Sequence, residues 1–428
     1  MSGEPPPPPG AQARDAITGC PVCDEPGANR LLALPCGGID GSTLYPTVKL
    51  VTCQTCGHCY NLLTPDELEG LSRYYNEEYA PANMSAGNLA GDRPGSSSTL
   101  TSTRYDQLWS ALAPFVERQH AVLDVGCALG GFLNLLRSRG LTQLAGVDVT
   151  ETYVAEARRT TPHRIEVGNA EALPFDDETF DALVIEQVLE HLVHPRRAFE
   201  EARRVLRSGG ILCIGVPDAA RYKETPFFDY YWLLLREHIQ HFDVRHLSLL
   251  AARAGFELCD VQHTTHAVMS EQMRMPNLCV VFRKRGLRDD RIEDATVTDG
   301  MADYLFQERM RANQRQRLFA DSAASRRQLF AWGIGREFFS LYASAGLGNC
   351  NLVGLVDSNP FKQRSWSVGG LRVTDPEKTL PEASADSLLL ITAVAHTASI
   401  TAAARRCGFR GEVYSFEVAS SPIRIQIE

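Results

Sequence analysis

From Ala121 onward the sequence alternates short apolar runs with glycine-marked turns and helical stretches: AVLDVG, a glycine-rich turn, FLNLLRSRG, LAGVDV, a helix, IEVGNAEAL, FDALVIEQVLEH, another helix and GGILCIGVP. Apolar strands that alternate with helices demand an open parallel sheet covered on both faces, because each crossover must bury its own apolar stripe against the sheet. Two more strand-like segments, FELCDVQH and LCVVFRK, extend the pattern to about residue 286. Such a sheet binds ligands outside the carboxyl ends of its strands, where the strand order reverses.

The first turn of the series is the most specific part. In VLDVGCALGGFLNLL, Asp124 closes an apolar strand, and Gly126 and Gly130 permit a tight turn with close approach of a cofactor. The next strand ends at Asp148, 24 residues after Asp124, where a carboxylate can accept hydrogen bonds from ribose hydroxyls. A glycine-rich strand, turn and helix also suits NAD, so this unit alone leaves the cofactor open. The ordered set LDVGCALGGFL, GVD, GNAEALPFDDETFDALV, EQVLEHLVHP, RVLRSGG and ILCIGVPD resembles the class I S-adenosylmethionine (SAM)-dependent methyltransferases over residues 121–286. That resemblance implies SAM as cofactor. It implies a methionine and ribose cradle from Gly126 through Cys127 to Gly130 and Gly131, Asp148 as ribose binder, and Asn169 with Ala170 at the adenine. Asn169 stands where the family more often has aspartate; asparagine still offers both a donor and an acceptor. Glu190-His191 follows the fourth strand, and His191 reads as a capping or packing residue.

Two Cys-x-x-Cys knuckles, Cys20 with Cys23 and Cys53 with Cys56, precede this domain. Each places two thiolates on one metal, and the 29 residues between their inner cysteines let them converge. Four soft sulfur ligands favour a closed, structural zinc. Cys36, His58 and Cys59 lie near enough to compete, and read as core or loop residues beside the site.

The domain order that follows is a disordered proline-rich tail (1–16), a zinc-binding module (17–64), a helical and loop connector that covers substrate (65–120), the SAM-binding domain (121–286), a helical linker (287–326) and a second Rossmann-like α/β domain (327–428). The fold class is α/β. With 52 acidic against 43 basic side chains, a net charge of −9 offers no general attraction to nucleic acid or anionic membrane. The start MSGEPPPPPG lacks a secretory pattern and no apolar stretch reaches about 18 residues, so a soluble, cytoplasmic chain is expected.

Residues 228–242, FDYYWLLLREHIQHF, concentrate aromatic, acidic and histidine side chains, with His238 and His241 spaced to share one side of a helix. The cysteine module, the central domain and the C-terminal α/β domain together resemble the sugar C-methyltransferases that act on nucleotide-linked keto-deoxysugars, and Glu237-His238-Ile-Gln-His-Phe242 matches their Glu-His-x-x-x-Phe pattern. The resemblance implies that His238 is the base that removes a proton beside the ketone, Glu237 its orienting or substrate-binding neighbour, and Tyr79 a phenol that stabilises the developing charge; His241, by its spacing from His238, is a further catalytic candidate. It also implies a nucleotide-linked sugar or other small molecule as partner; O-methylation of a sugar or metabolite and a noncatalytic interaction protein are the alternatives. The sequence departs from the pattern at Arg236, where histidine is common, and after Tyr79, where serines usually follow. In the C-terminal domain, Gly333-Ile-Gly335 and Asp357 form too short a pattern for a nicotinamide site, and Lys362 reads as a phosphate contact or an exposed lysine.

Overall fold

The computed structural model describes residues 19–36, 42–79, 95, 99–224, 233–268, 270–286, 296–416 and 425–427. The expected tail at 1–16 lies outside them.

Three sheets organise the described residues. The first joins β1 (Ala28–Pro35), β2 (Thr47–Cys53) and β3 (Cys59–Asn61) to a two-residue strand, Gln240–His241, which is β9 in chain order. The second contains β4 (Ala121–Val125), β5 (Gln143–Asp148), β6 (Arg164–Val167), β7 (Phe180–Glu186), β8 (Leu206–Pro217), β10 (Phe256–Val268) and β11 (Ser270–Lys284), in the order β10-β11-β8-β7-β4-β5-β6. From β8 to β6 neighbouring strands are parallel, whereas β11 runs antiparallel to both β8 and β10. The order reverses at β4, between β5 and β7, and this switch point fixes where a ligand can bind.

The continuous apolar run of β4 follows from burial on both faces. Leu123 and Val125 pack in one core with Phe199 and Val205 of helix α5 (Pro195–Val205) and Leu250 of α6 (Val244–Arg253). Val122 faces the other core, with Leu108 of α2 (Thr99–Leu112) and Phe132 and Leu136 of α3 (Gly131–Ser138). In α5, Pro195, Ala198, Phe199, Ala202 and Val205 are buried, the spacing of one helical face. Helix α1 (Pro65–Arg73) starts at a capping box in which Thr64 accepts from the Glu67 amide and the Glu67 side chain accepts from the Thr64 amide. Helix α4 (Glu151–Thr160) completes the crossover between β5 and β6.

The third sheet comprises β12 (Leu329–Trp332), β13 (Leu352–Val356), β14 (Ser367–Val368), β15 (Leu371–Thr374), β16 (Leu388–Ile391), β17 (Glu412–Phe416) and β18 (Ile425–Ile427), ordered β14-β15-β13-β12-β16-β17-β18. Its core strands are parallel, giving the distinct C-terminal α/β domain that the sequence implies. The linker contains the 30-residue helix α7 (Thr296–Ser325). Met301, Tyr304 and Leu305 near its start pack with Leu44, Leu233 and Ile239, while Phe319 near its end enters the C-terminal core. Among the described residues no helix is long and apolar enough to cross a membrane.

Two expectations need correction. Residues 235–241 do not form the helix that would set His238 and His241 side by side: a turn at Arg236 and Glu237 leads into β9. The physical reason is tertiary, since the main chain of Gln240 and His241 pairs with Tyr60 and Cys59 instead of with its own preceding turn. The stretch NMSAGNLAGDRPGSSSTLTST, whose small and turn-forming residues predict a flexible or substrate-covering loop over 83–103, is helical from Thr99.

Gly126 marks the tightest point of the central domain. Its φ is +80°, and a Cβ there would lie 2.2 Å from Val188 Cγ2. Gly126→Ala therefore combines left-handed strain with overpacking and should destabilise the protein by roughly 1–3 kcal/mol. Denaturant unfolding checks this; an unchanged midpoint would show that Val188 yields without cost.

Candidate active site and metal centre

Each cysteine knuckle is a tight turn, closed by Asp24 N–H donating to the Cys20 carbonyl and Gly57 N–H donating to the Cys53 carbonyl. The turns face each other, with Cys20 Sγ 3.6 Å from Cys56 Sγ and Cys23 Sγ 3.5 Å from Cys53 Sγ. All four sulfurs lie within 4.8 Å of one another. A tetrahedral zinc with Zn–S bonds of about 2.3 Å separates its sulfurs by about 3.8 Å, so the cluster has the dimensions of such a site. Sulfur contacts within it split the thiols: Cys23 holds Cys20 above the ordinary range, and Cys20 pulls Cys23 down to about 7. A shared cation relieves this competition by stabilising every thiolate. The neighbouring candidates are occupied elsewhere, Cys36 Sγ by the Leu34 carbonyl at 3.5 Å and His58 Nε2 by Gln240 Oε1 at 2.9 Å; Cys59 lies in a separate apolar core.

At the switch point of the central sheet lies a cavity of about 430 Å³. Its wall includes Asp124, Gly126, Cys127, Asp148, Asn169 and Ala170 together with Glu237 and His238. Asp148 is buried, and its two oxygens accept from the Ala128 amide at 2.9 Å and the Thr150 amide at 2.8 Å. Each oxygen keeps lone-pair capacity beyond that bond. Burial raises the Asp148 pKa and lifts Asp124 to about 8, with Glu186 and Asp148 adding to the Asp124 shift. Asn169 Oδ1 accepts from the Glu171 amide at 2.9 Å, so the amide nitrogen is its remaining polar group. Gly130 is not in the cavity wall; at φ +77° it caps α3, and a Cβ there would approach Thr161 Cγ2 at 3.1 Å.

The Glu237-His238 part of the wall is tied to the cysteine module. Asn61 Nδ2 donates to the His238 carbonyl at 2.8 Å, and the Asn61 amide donates to the Ile239 carbonyl at 2.8 Å. Arg236 donates to the Leu44 and Tyr45 carbonyls at 3.1 and 3.2 Å, and the Tyr45 hydroxyl donates to the Arg236 carbonyl. The departure at Arg236 is thus a clamp between the cavity segment and the module. The Tyr74 hydroxyl donates to Glu237 Oε1 at 2.9 Å, with Arg336 Nη2 at 3.9 Å from the same oxygen. His238 is buried beside His191, ring centroids 4.8 Å apart, and burial followed by His191 holds its pKa well below 6.5, leaving a neutral imidazole. His241 faces elsewhere: fully buried in β9, it lies edge-on to Tyr222 with Nδ1 3.5 Å from the Tyr222 hydroxyl, outside the cavity wall. The Tyr79 side chain lies outside the described residues.

Several wall residues escaped the sequence reading. Glu186 ends β7 and lies 3.0 Å from Arg104 Nε, and a Cβ on Gly215 would meet its Oε2 at 1.7 Å. The available cue was a carboxylate closing an apolar strand next to that of Asp124. His191, read as a capping or packing residue, lines the cavity, with Nδ1 2.9 Å from both the Glu237 carbonyl and the Tyr75 hydroxyl. Arg336 arrives from the C-terminal domain and had no local signal. It and Leu235 also line a second cavity of about 690 Å³, beside Gly333, Asp357 and Lys362. There Lys362 is half-buried, and its Nζ lies 2.8 Å from Asp357 Oδ2, which also accepts from the Ile334 amide at 2.9 Å.

Residues 123–214 match the family model described as "Methyltransferase domain". A "Probable S-adenosylmethionine-dependent methyltransferase" of Mycobacterium tuberculosis is 31% identical over 168 residues, 37% of this chain and 58% of that protein. A protein with the same description from Mycolicibacterium smegmatis is 30% identical over 150 residues, 34% of this chain and 55% of that one. The chain thus spans a little over half the length of these curated relatives. Among solved structures, a SAM-dependent methyltransferase of Methanosarcina mazei matches at 19% identity with a TM-score of 0.35, covering 41% of this chain and 97% of that one. The family match and the strand order give the central domain a class I SAM-dependent methyltransferase fold, flanked by a four-cysteine cluster able to bind a metal.

The cluster generates a metal prediction. Purified protein should contain one zinc per chain in this site, and Cys53→Ser should lose it and unfold the module, since the site's binding energy is folding energy. Elemental analysis with limited proteolysis reads both; a folded, metal-free wild-type module would overturn the assignment.

Proposed function

We propose that the protein is a SAM-dependent C-methyltransferase that acts on a nucleotide-linked keto-deoxysugar. The observation that carries this reading is the single cavity whose wall includes both the Gly126 to Asp148 cradle and the Glu237-His238 pair. SAM, when bound, supplies an electrophilic methyl group on a sulfonium.

The chain's own groups divide the remaining work. Asp148 accepts the ribose hydroxyls with the lone pairs its two backbone partners leave, and Asn169 donates its amide to the adenine. His238 removes the proton beside the acceptor ketone, leaving an enolate whose carbon takes the methyl group. Asn61 holds the His238 main chain, and Tyr74 holds Glu237 beside it. Phenols are at hand for the oxyanion, with Tyr75 in the cavity wall and Tyr79 the residue implied by the family pattern. The second cavity, reached past Leu235 and Arg336, accommodates the nucleotide part of the acceptor.

Two variants separate cofactor binding from chemistry. Asp148→Ala should weaken SAM binding measured by calorimetry while leaving the fold intact, a loss of about 1–3 kcal/mol for a buried charged acceptor. His238→Ala should bind SAM like wild type yet lose about 10²- to 10⁴-fold in methyl transfer and in acceptor hydrogen exchange. With a panel of nucleotide-linked keto-sugars, NMR should show a methyl carbon bonded to carbon. Near-wild-type turnover by folded His238→Ala rejects the base assignment, and an O-methylated product rejects C-methylation.

A further inference from the structure

We propose that Glu190, His191 and His238 form a second divalent-cation site, separate from the four-cysteine cluster, and that a zinc-class ion bound there withdraws His238 from proton transfer. The second clause rests on the reading of His238 as the base; the site itself does not.

One oxygen of Glu190 and one ring nitrogen of each histidine all lie within 4.8 Å of one another. His191 Nε2 is 3.9 Å from Glu190 Oε1, and the two imidazoles meet edge to face at 4.8 Å. Nitrogen and oxygen ligands on a tetrahedral zinc are about 3.4 Å apart, so relative side-chain movements of up to about 1.4 Å close the site. Glu190 is 1% exposed and, among the described residues, neither of its carboxylate oxygens has a hydrogen-bond partner, nor does Nδ1 of buried His238. A buried carboxylate without partners is costly, and a proton or a cation must compensate it.

The tautomer of His191 favours the cation. Its Nδ1 lies 2.9 Å from both the Tyr75 hydroxyl and the Glu237 carbonyl; the hydroxyl can donate or accept but the carbonyl only accepts, so Nδ1 carries the hydrogen and Nε2 presents a lone pair. An imidazole that donates one nitrogen to a main-chain carbonyl and offers the other is the usual posture of a metal ligand. Two nitrogens and one carboxylate suit zinc, cobalt or nickel better than magnesium or calcium, which prefer oxygen shells. Because His191 and His238 line the central cavity, a fourth coordination position faces it, which makes the ion exchangeable, unlike a closed four-thiolate site. A metal-bound imidazole nitrogen has no lone pair left for the acceptor's proton.

The test uses full-length protein with its cysteine-bound zinc retained, dialysed against a mild chelator until zinc analysis is constant, then titrated with Co²⁺. One further equivalent should bind with visible ligand-field bands and no sulfur-to-cobalt charge-transfer band. Glu190→Gln and His191→Gln should each weaken it at least about 10-fold without changing the retained zinc. Either variant suffices if the other fails to fold. No cobalt binding to millimolar levels, or equal affinity in a folded variant, overturns the site and assigns Glu190 a proton instead. Added Zn²⁺ should inhibit methyl transfer by wild type and spare Glu190→Gln at the same concentration. Cobalt binding without inhibition keeps the site and overturns its effect on the base, whereas an inactive wild type that binds cobalt counts against the enzymatic reading alone.

Discussion

Cys59 and Tyr60 pair with His241 and Gln240, and this short ladder, extended by Asn61 to Ile239 and His238, ties the cysteine module to the wall of the central cavity. The ladder sets the main chain of His238 against the module, while Gln240 Nε2, donating to the Leu192 carbonyl at 3.0 Å, sets the same segment against the central domain. The surrounding contacts serve the same end: Arg236 reaches the carbonyls of Leu44 and Tyr45, His58 meets Gln240, and His246 Nε2 meets the Cys56 carbonyl at 2.9 Å. The four cysteines therefore act at a distance. By holding the knuckles they hold β3, and by holding β3 they hold Glu237 and His238.

Local signals made the central domain readable. A strand ending in Asp124, a left-handed turn at Gly126 and a second acidic strand end at Asp148 are all specified by neighbours in sequence, and the structure gathers Asp124, Gly126 and Asp148 around one cavity. The cysteine knuckles were readable for the same reason, since two turns of four residues supply every sulfur. The segment around His238 was not, because its conformation is chosen by partners far away in the chain. Three-residue spacing makes His238 and His241 look like one helical face, yet a partner strand turns His241 to Tyr222 and leaves His238 at the cavity.

The same distinction explains the residues that went unnoticed. Arg336 begins a helix in another domain, and only the packing of that domain brings it within 3.9 Å of Glu237. Glu186 closes a buried strand, and its position dictates a glycine at 215, where a side chain would overlap its carboxylate. Lys362 illustrates the reverse: an apparently available cation is neutralised by Asp357 five residues earlier, a pairing that the helix start at Pro360 makes local.

The order in which the chain leaves the ribosome gives the β3 to β9 ladder a temporal side. Both knuckles and β1 to β3 are complete by Asn61, whereas the strand that covers the edge of β3 ends at His241. At roughly 5–20 residues per second, some 180 residues of delay leave that edge without its partner for roughly 10–40 s. An uncovered strand edge is a template for the wrong neighbour. The nascent module thus passes through an interval of exposure that ends only when the segment carrying His238 has emerged to close it.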